Sequence, residues 1–136
     1  MRYLLDTNTL VYALNARPRH QAIMERLDRE APENLFVSAI TLAELRYGAA
    51  KSRRREANLQ KVQRVAQALN VSAFDDAAAA AYGGLRAELE GAGTPIGPLD
   101  TLIAAHALSL GMTLVTANTR EFARVRTLRV ESWLPA

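Results

Sequence analysis

At 136 residues the chain is sized for one domain spanning 1–136, and 49% hydrophobic with 23% charged residues is a globular composition that excludes wholesale disorder. The absence of cysteine excludes disulfides and thiolate-held zinc or iron–sulfur centres and fits a reducing compartment. Seventeen Lys+Arg against 14 Asp+Glu leave +3, and 15 of the 17 cations are arginine, a mild pointer to an anionic partner.

Tyr3-Leu-Leu5 reads as a short apolar strand that stops at Asp6. Asp6 and Asn8 interrupt the N-terminal apolar stretch, which therefore lacks the unbroken apolar centre of a signal peptide. A helix is expected from about Thr9, and another over 21–30 before Pro32. Leu35-Phe-Val37 reads as a second strand. Helical patterns follow over 41–50 and 55–69, with Gly48 and the basic run weakening the join. Residues 71–74 read as a third strand and 76–90 as a helix; its run Ala77–Ala81 is far too short to span a bilayer. Gly91-Ala-Gly-Thr-Pro-Ile-Gly-Pro98, with three glycines and two prolines, must be a loop. Residues 101–110 read as a helix closed by Gly111, 112–115 as a fourth strand, and 128–130 suits a fifth. Short strands, apolar on both faces and separated by helices, are the pattern of a mainly parallel sheet covered on both sides. The expectation is a three-layer α/β/α domain, soluble and cytoplasmic.

In such folds sites lie at the carboxyl ends of strands. Asp6 ends the first strand, Glu44 lies early in the helix after the second, Asp100 opens the helix after the Gly/Pro loop, and Asn118 and Glu121 follow the fourth. Each has a structural reading beside the functional one. Thr41 and Glu44 have capping-box spacing, Asp100 suits an N-cap for a helix from Thr101, and Asp76 can cap the alanine-rich helix. Asp6 resists such a reading, because a carboxylate directly after a buried strand is partly desolvated and costs energy unless paired or metal-bound. Several carboxylates in one place suit a hard cation. With no cysteine and two histidines, oxygen ligands favour Mg²⁺ or Mn²⁺, ions that serve phosphate chemistry. Lys51, Arg53, Arg54 and Arg55 form the densest positive run, and Arg120, Arg124, Arg126 and Arg129 a second cluster. Either suits a phosphate backbone or a solvated surface. His20, His106 and Trp133 are read as packing residues. There is no P-loop, dinucleotide-binding glycine motif or nucleophile elbow, and a phosphatase Asp-x-Asp would need an acid where Asn8 stands.

Four segments taken together resemble a known family: Leu4-Leu-Asp-Thr-Asn8, Ser38-Ala-Ile-Thr-Leu-Ala-Glu44-Leu-Arg-Tyr-Gly48, Asp100-Thr-Leu-Ile-Ala-Ala-His-Ala107 and Leu114-Val-Thr-Ala-Asn-Thr-Arg-Glu-Phe122. In this order and spacing they look like the PIN domain, and more narrowly the VapC toxin ribonucleases of bacterial VapBC toxin–antitoxin pairs. The ending Leu128-Arg-Val-Glu-Ser-Trp133 is similar to that of the group that cuts initiator tRNA. The resemblance implies a Mg²⁺-dependent endoribonuclease, with Mn²⁺ able to substitute. Asp6 and Asp100 match the principal metal-binding acids and Glu44 the third. The fourth acid falls on Asn118, which is not acidic, or on Glu121. Thr7, Asn8, Ser38 and Thr116 match polar positions that support the acids. The partners implied are a VapB-type antitoxin, a structured RNA such as tRNA, and a second copy of the chain. Lys51, Arg53, Arg54, Arg55 and Arg120 are candidate RNA contacts. The alternative is a catalytically degenerate member that only binds RNA or serves as a scaffold.

Overall fold

The structure, a computed structural model, describes residues 1–15 and 19–135. Five strands form one sheet: β1 (Tyr3–Leu5), β2 (Leu35–Ser38), β3 (Asn70–Ser72), β4 (Thr113–Val115) and β5 (Val130–Glu131). Their spatial order is β3-β2-β1-β4-β5 and every neighbouring pair is parallel. Parallel strands need crossover connections, and helices supply them: α1 (Thr7–Leu14), α2 (His20–Arg29), α3 (Ala39–Ala50), α4 (Arg55–Ala68), α5 (Asp76–Gly91), α6 (Pro98–Leu110) and the single turn α7 (Thr119–Phe122).

The strand alternation divides the core in two. Tyr3, Leu5, Leu35, Val37 and Val115 face one layer, packing with Leu10, Leu42 and Val62 of α1, α3 and α4. Leu4 and Leu114 face the other, packing with Leu85, Ile103 and Phe122 of α5, α6 and α7. Both faces of the central strands β1, β2 and β4 are therefore largely dry, which is why they read as unbroken apolar runs rather than alternating ones, whereas the edge strand β3 is mostly exposed. Trp133 closes the first layer, edge-on to Tyr3 at 5.2 Å with the Arg26 guanidinium 4.8 Å above its ring, a packing anchor as expected.

Several boundaries move, each for a local reason. α1 starts at Thr7 because Asp6 itself caps it, accepting from Thr9 N at 2.9 Å. β3 begins one residue earlier and is only three residues long, and Phe74 instead leaves the sheet to pack on His106 at 5.2 Å. Asp75, not Asp76, caps α5 by accepting from Ala78 N at 3.0 Å. β5 sits two residues later than expected, paired to β4 through Leu114–Val130 and Val115–Glu131. In the alanine run, Ala78 is buried while Ala77, Ala79 and Ala80 are exposed. Among the described residues no helix is long and apolar enough to cross a membrane.

Candidate active site

The chain runs from β1 outward to β2 and β3, then returns to place β4 on the other side of β1. The carboxyl ends of β1 and β4 therefore diverge into helices on opposite faces, the switch point where open α/β sheets leave a crevice. Asp6 is the first residue past β1. Its backbone N–H donates to Val115 O at 3.0 Å, so the end of β4 fixes its position. Only 3% of Asp6 is exposed. Burial pushes its carboxyl above the ordinary carboxylate range, and the neighbouring Glu44 charge adds to this. The Thr116 hydroxyl, Thr9 backbone N–H and Thr9 hydroxyl pull the other way. The Thr9 hydroxyl also donates to Val115 O at 3.1 Å, tying α1 to β4 beneath the carboxylate.

Glu44 reaches the same crevice from α3. The helix starts at Ala39 with Ser38 as its N-cap, Ser38 Oγ accepting from Ile40 N at 3.0 Å. Thr41 is thus inside the first turn and Glu44 beyond it, and the capping-box reading fails because the cap sits three residues upstream of Thr41. Glu44 instead accepts a 2.8 Å hydrogen bond on Oε1 from the Thr7 hydroxyl, which lies 3.4 Å from the Thr41 hydroxyl. Ser38, fully buried, also shares a 2.8 Å hydrogen bond with His106 Nδ1, joining the start of α3 to the middle of α6.

Asp100 enters on α6. That helix starts at Pro98, whose fixed φ suits a first helical position, and Gly97 is its cap. Asp100 is consequently in the first turn and is not the cap it was expected to be, which leaves its carboxylate for the crevice. The carboxylate is about half-buried and is pushed up to about 7, first by burial, then by a hydrogen bond shared with Glu121, the Glu121 charge, and the charges of Asp6 and Glu44. Four acids from four segments therefore repel one another in one place.

Of the two positions left open after β4, Glu121 is the one against Asp100. Asn118 serves it: Asn118 Nδ2 donates to Glu121 Oε2 at 2.6 Å, and Gly97 N donates to Glu121 Oε1 at 3.0 Å. Thr116 accepts from Asn118 N at 2.9 Å, shaping the turn that carries both. The backbone N–H of Gly97 was not read from the sequence as part of this site. Its signal was the glycine before Pro98, where a Cβ would meet Asp100 Oδ2 at 3.4 Å and Glu121 Oε1 at 3.9 Å. Among the described residues no three His, Asp or Glu side chains already converge as a group that could hold a metal ion.

The other expected residues lie outside this cluster. Asn8 is exposed on α1 and lines a separate cavity. Lys51, Arg53 and Arg54 form the exposed turn between α3 and α4, and Arg55 starts α4. Lys51 Nζ sits 4.8 Å from the centre of the exposed Tyr47 ring. Arg120 is exposed on α7, next to Glu121. Arg124, from the same cluster, donates to Pro95 O at 2.8 Å and so braces the Gly/Pro loop.

A family model described as PIN domain matches residues 3–128. The tRNA(fMet)-specific endonuclease VapC of Salmonella typhimurium is 43% identical over 133 residues, covering 98% of each chain. Ribonuclease VapC2 of Haemophilus influenzae is 41% identical over 134 residues, covering 98% of this chain and 99% of that one. Among solved structures, DNA-bound VapBC from Salmonella typhimurium superimposes with a TM-score of 0.92 at 42% identity over 98% of each chain. VapBC2 from Rickettsia felis, bound to a fragment of its promoter, gives 0.90 at 40% identity, over 98% of this chain and 99% of that one. With sequence and fold agreeing along nearly its whole length, the chain belongs to the PIN-domain family and, within it, to the VapC ribonucleases.

Proposed function

We propose that this protein is the toxin of a VapBC-type pair, a Mg²⁺-dependent endoribonuclease that cuts tRNA, with the initiator tRNA as its target, and that it works in the cytoplasm as one domain. The observation that carries this is the set of four acids at the β1/β4 switch point with no cationic side chain among the neighbours that shift Asp6 and Asp100. Buried and half-buried carboxylates that raise one another's proton affinity fit a divalent cation, a cofactor typical of PIN-domain nucleases. All-oxygen donors suit Mg²⁺, with Mn²⁺ as a substitute. Asp6 and Asp100 would hold it, with Glu44 and Glu121 completing the negative rim. Bound there, the cation supplies charge that activates water and neutralises the scissile phosphate.

The chain's own residues set the stage for that chemistry. Thr7 fixes the Glu44 carboxylate from one side. Gly97 and Asn118 occupy both oxygens of Glu121, so it faces Asp100 in one orientation. Asp100, pushed up to about 7 beside Glu121, is partly protonated near neutral pH, and a bound cation would displace that proton. Glu121 supplies an acid at the position where Asn118 is neutral, which argues against a degenerate, binding-only protein.

Two surfaces support the proposed partners. A groove among α1, α3 and α4 opens at Thr7 and Glu44 and is lined by Leu14, Leu45 and Val62. It suits an antitoxin segment with apolar residues and a basic side chain for the acids. The exposed face of α5 suits a second copy of the chain.

The test is cleavage of total tRNA by the purified protein with Mg²⁺ or Mn²⁺. Discrete fragments are expected to disappear with EDTA, and to fall by at least roughly 100-fold in Asp6→Asn, the scale of losing one electrostatic partner of a transition state. Undiminished cutting by a folded Asp6→Asn protein, or in EDTA, refutes the assignment.

A further inference from the structure

Asn8 has no place among the acids, yet it stands two residues beyond Asp6. It lines a cavity of about 350 Å³ with Val11, Tyr12 and Asn15 of α1 and with Ala117 and Asn118 of the turn after β4. That volume lies in the range of small-ligand sites, roughly 300–1,000 Å³. Among the described residues the wall contains three carboxamides, a phenol and two aliphatic side chains, and neither a charged group nor a histidine. A phosphate would call for arginine or lysine, and a cation for carboxylates. Paired neutral donors and acceptors beside an aromatic face are instead the complement of a nucleobase, which offers both along one edge and a flat surface for stacking.

Two of the amides are held in one orientation. Asn15 Nδ2 donates to Val11 O at 2.9 Å, and Asn118 Nδ2 donates to Glu121 Oε2 at 2.6 Å. Each bond uses one N–H of the amide and fixes its orientation before any ligand arrives. Tyr12 is held too: Arg19 Nη1 donates to its hydroxyl at 3.3 Å, with the guanidinium 5.8 Å from the ring centre. Asn118 connects the cavity to the acids directly, since the carboxylate it holds is the one against Asp100.

We propose that this cavity is a base-recognition subsite, which receives the unstacked base of a nucleotide next to the scissile phosphate and contributes to the choice of cutting site. The inference rests on the RNA-cleaving reading above. Sequence-specific RNA recognition acts mainly on single-stranded loops, whose bases can be splayed into such pockets. Asn8 and Asn118 are specificity-determining residues in this scheme, and Tyr12 is the stacking wall.

The test uses the full-length ¹⁵N-labelled protein and follows side-chain NH₂ signals during titration with AMP, CMP, GMP or UMP, with ribose 5-phosphate as control. The signals of Asn8, Asn15 and Asn118 are expected to shift to different extents with the four bases, and not with ribose 5-phosphate. Asn8→Ala, an exposed helical position that tolerates alanine, should weaken the preferred nucleotide roughly 5- to 10-fold, the worth of one amide hydrogen-bonding group. In the cleavage assay, Asn8→Ala should broaden the base found at one position beside the cut. Shifts that ribose 5-phosphate reproduces, or no shift at saturation, overturn the subsite, as does an unchanged base preference in Asn8→Ala. Base-dependent shifts in a protein that cuts no RNA would uphold the subsite and reject the ribonuclease reading. Cutting without base-dependent shifts does the reverse.

Discussion

Asp6 does two jobs with one carboxylate: it caps α1 and it faces the other acids. Asparagine caps as well as aspartate, so Asp6→Asn removes the charge and keeps the helix start, which makes it the variant that separates chemistry from folding. His106 is the residue whose protonation sets a stability signature. It is fully buried in the α3–α6 interface, against Ser38 and the Phe74 ring. Burial lowers its pKa below the ordinary value, against the opposing pull of the Ala73 carbonyl and the Asp75 charge. A group that is harder to protonate folded than unfolded stabilises the fold above its unfolded pKa near 6.5, and the contribution is lost as pH falls through and below that value. Asp6 and Asp100, with raised values, act in the opposite sense: their folded forms bind protons first, and stability grows as pH falls through about 7 for Asp100. The expected readout is therefore a difference. Between pH 7.5 and 5.5 the urea midpoint of wild type should fall relative to that of His106→Gln, which keeps a polar group for Ser38 and does not titrate. Parallel midpoints would assign the acid sensitivity elsewhere.

At the scale of elements, α6 shows how helix ends decide function. Pro98 begins it, so Asp100 falls in the first turn with its carboxylate directed to the crevice. Gly111 ends it with φ +65°, in the left-handed region, and its N–H closes on Leu108 O at 3.2 Å before Met112 leads into β4. An L-residue there pays roughly 1–2 kcal/mol. Gly111→Ala should lower the unfolding free energy by about that much, seen as a lower denaturant midpoint with the same denaturant dependence, since a methyl group at Gly111 meets nothing and only the backbone conformation is strained. An unchanged midpoint would mean that the helix end has rearranged. Because Gly111 is at the far end of α6 from Asp100, tRNA cutting should persist in the same variant.

For the whole molecule, the acids and the basic run occupy different places along one helix. Glu44 lies midway along α3 and Lys51 just past its end, about 10 Å away at 1.5 Å per residue. A phosphate chain entering the crevice would run past the Lys51–Arg55 turn. If it does, replacing Arg53, Arg54 and Arg55 with alanine should weaken tRNA binding uniformly and flatten its dependence on log salt by up to roughly 0.7 for each lost single-strand phosphate contact. An unchanged slope would make the run a solvated surface.

The architecture and most of the acids were legible in the order of residues alone. Short doubly apolar strands separated by helices can be buried as a parallel sheet with two covering layers, and Asp6 directly after a buried strand stood out as a functional acid, although the structure shows that it also caps α1. What the sequence could not determine was which polar residues touch. Capping signals at Glu44 and Asp100 pointed to helix ends, and were misleading because Ser38 and the Gly97-Pro98 step start those helices upstream; local pattern sees one candidate cap but not the competing one. The choice between Asn118 and Glu121, one turn apart, needed the Gly/Pro loop to fold back so that Gly97 N–H could meet Glu121. Asn8, which the resemblance set among the polar supports of the acids, is carried by the turn of α1 to another cavity. The Gly97–Glu121 and Asp6–Val115 contacts bridge 24 and 109 residues of chain, and they form because packing brings β1 and β4 side by side, which no local pattern encodes.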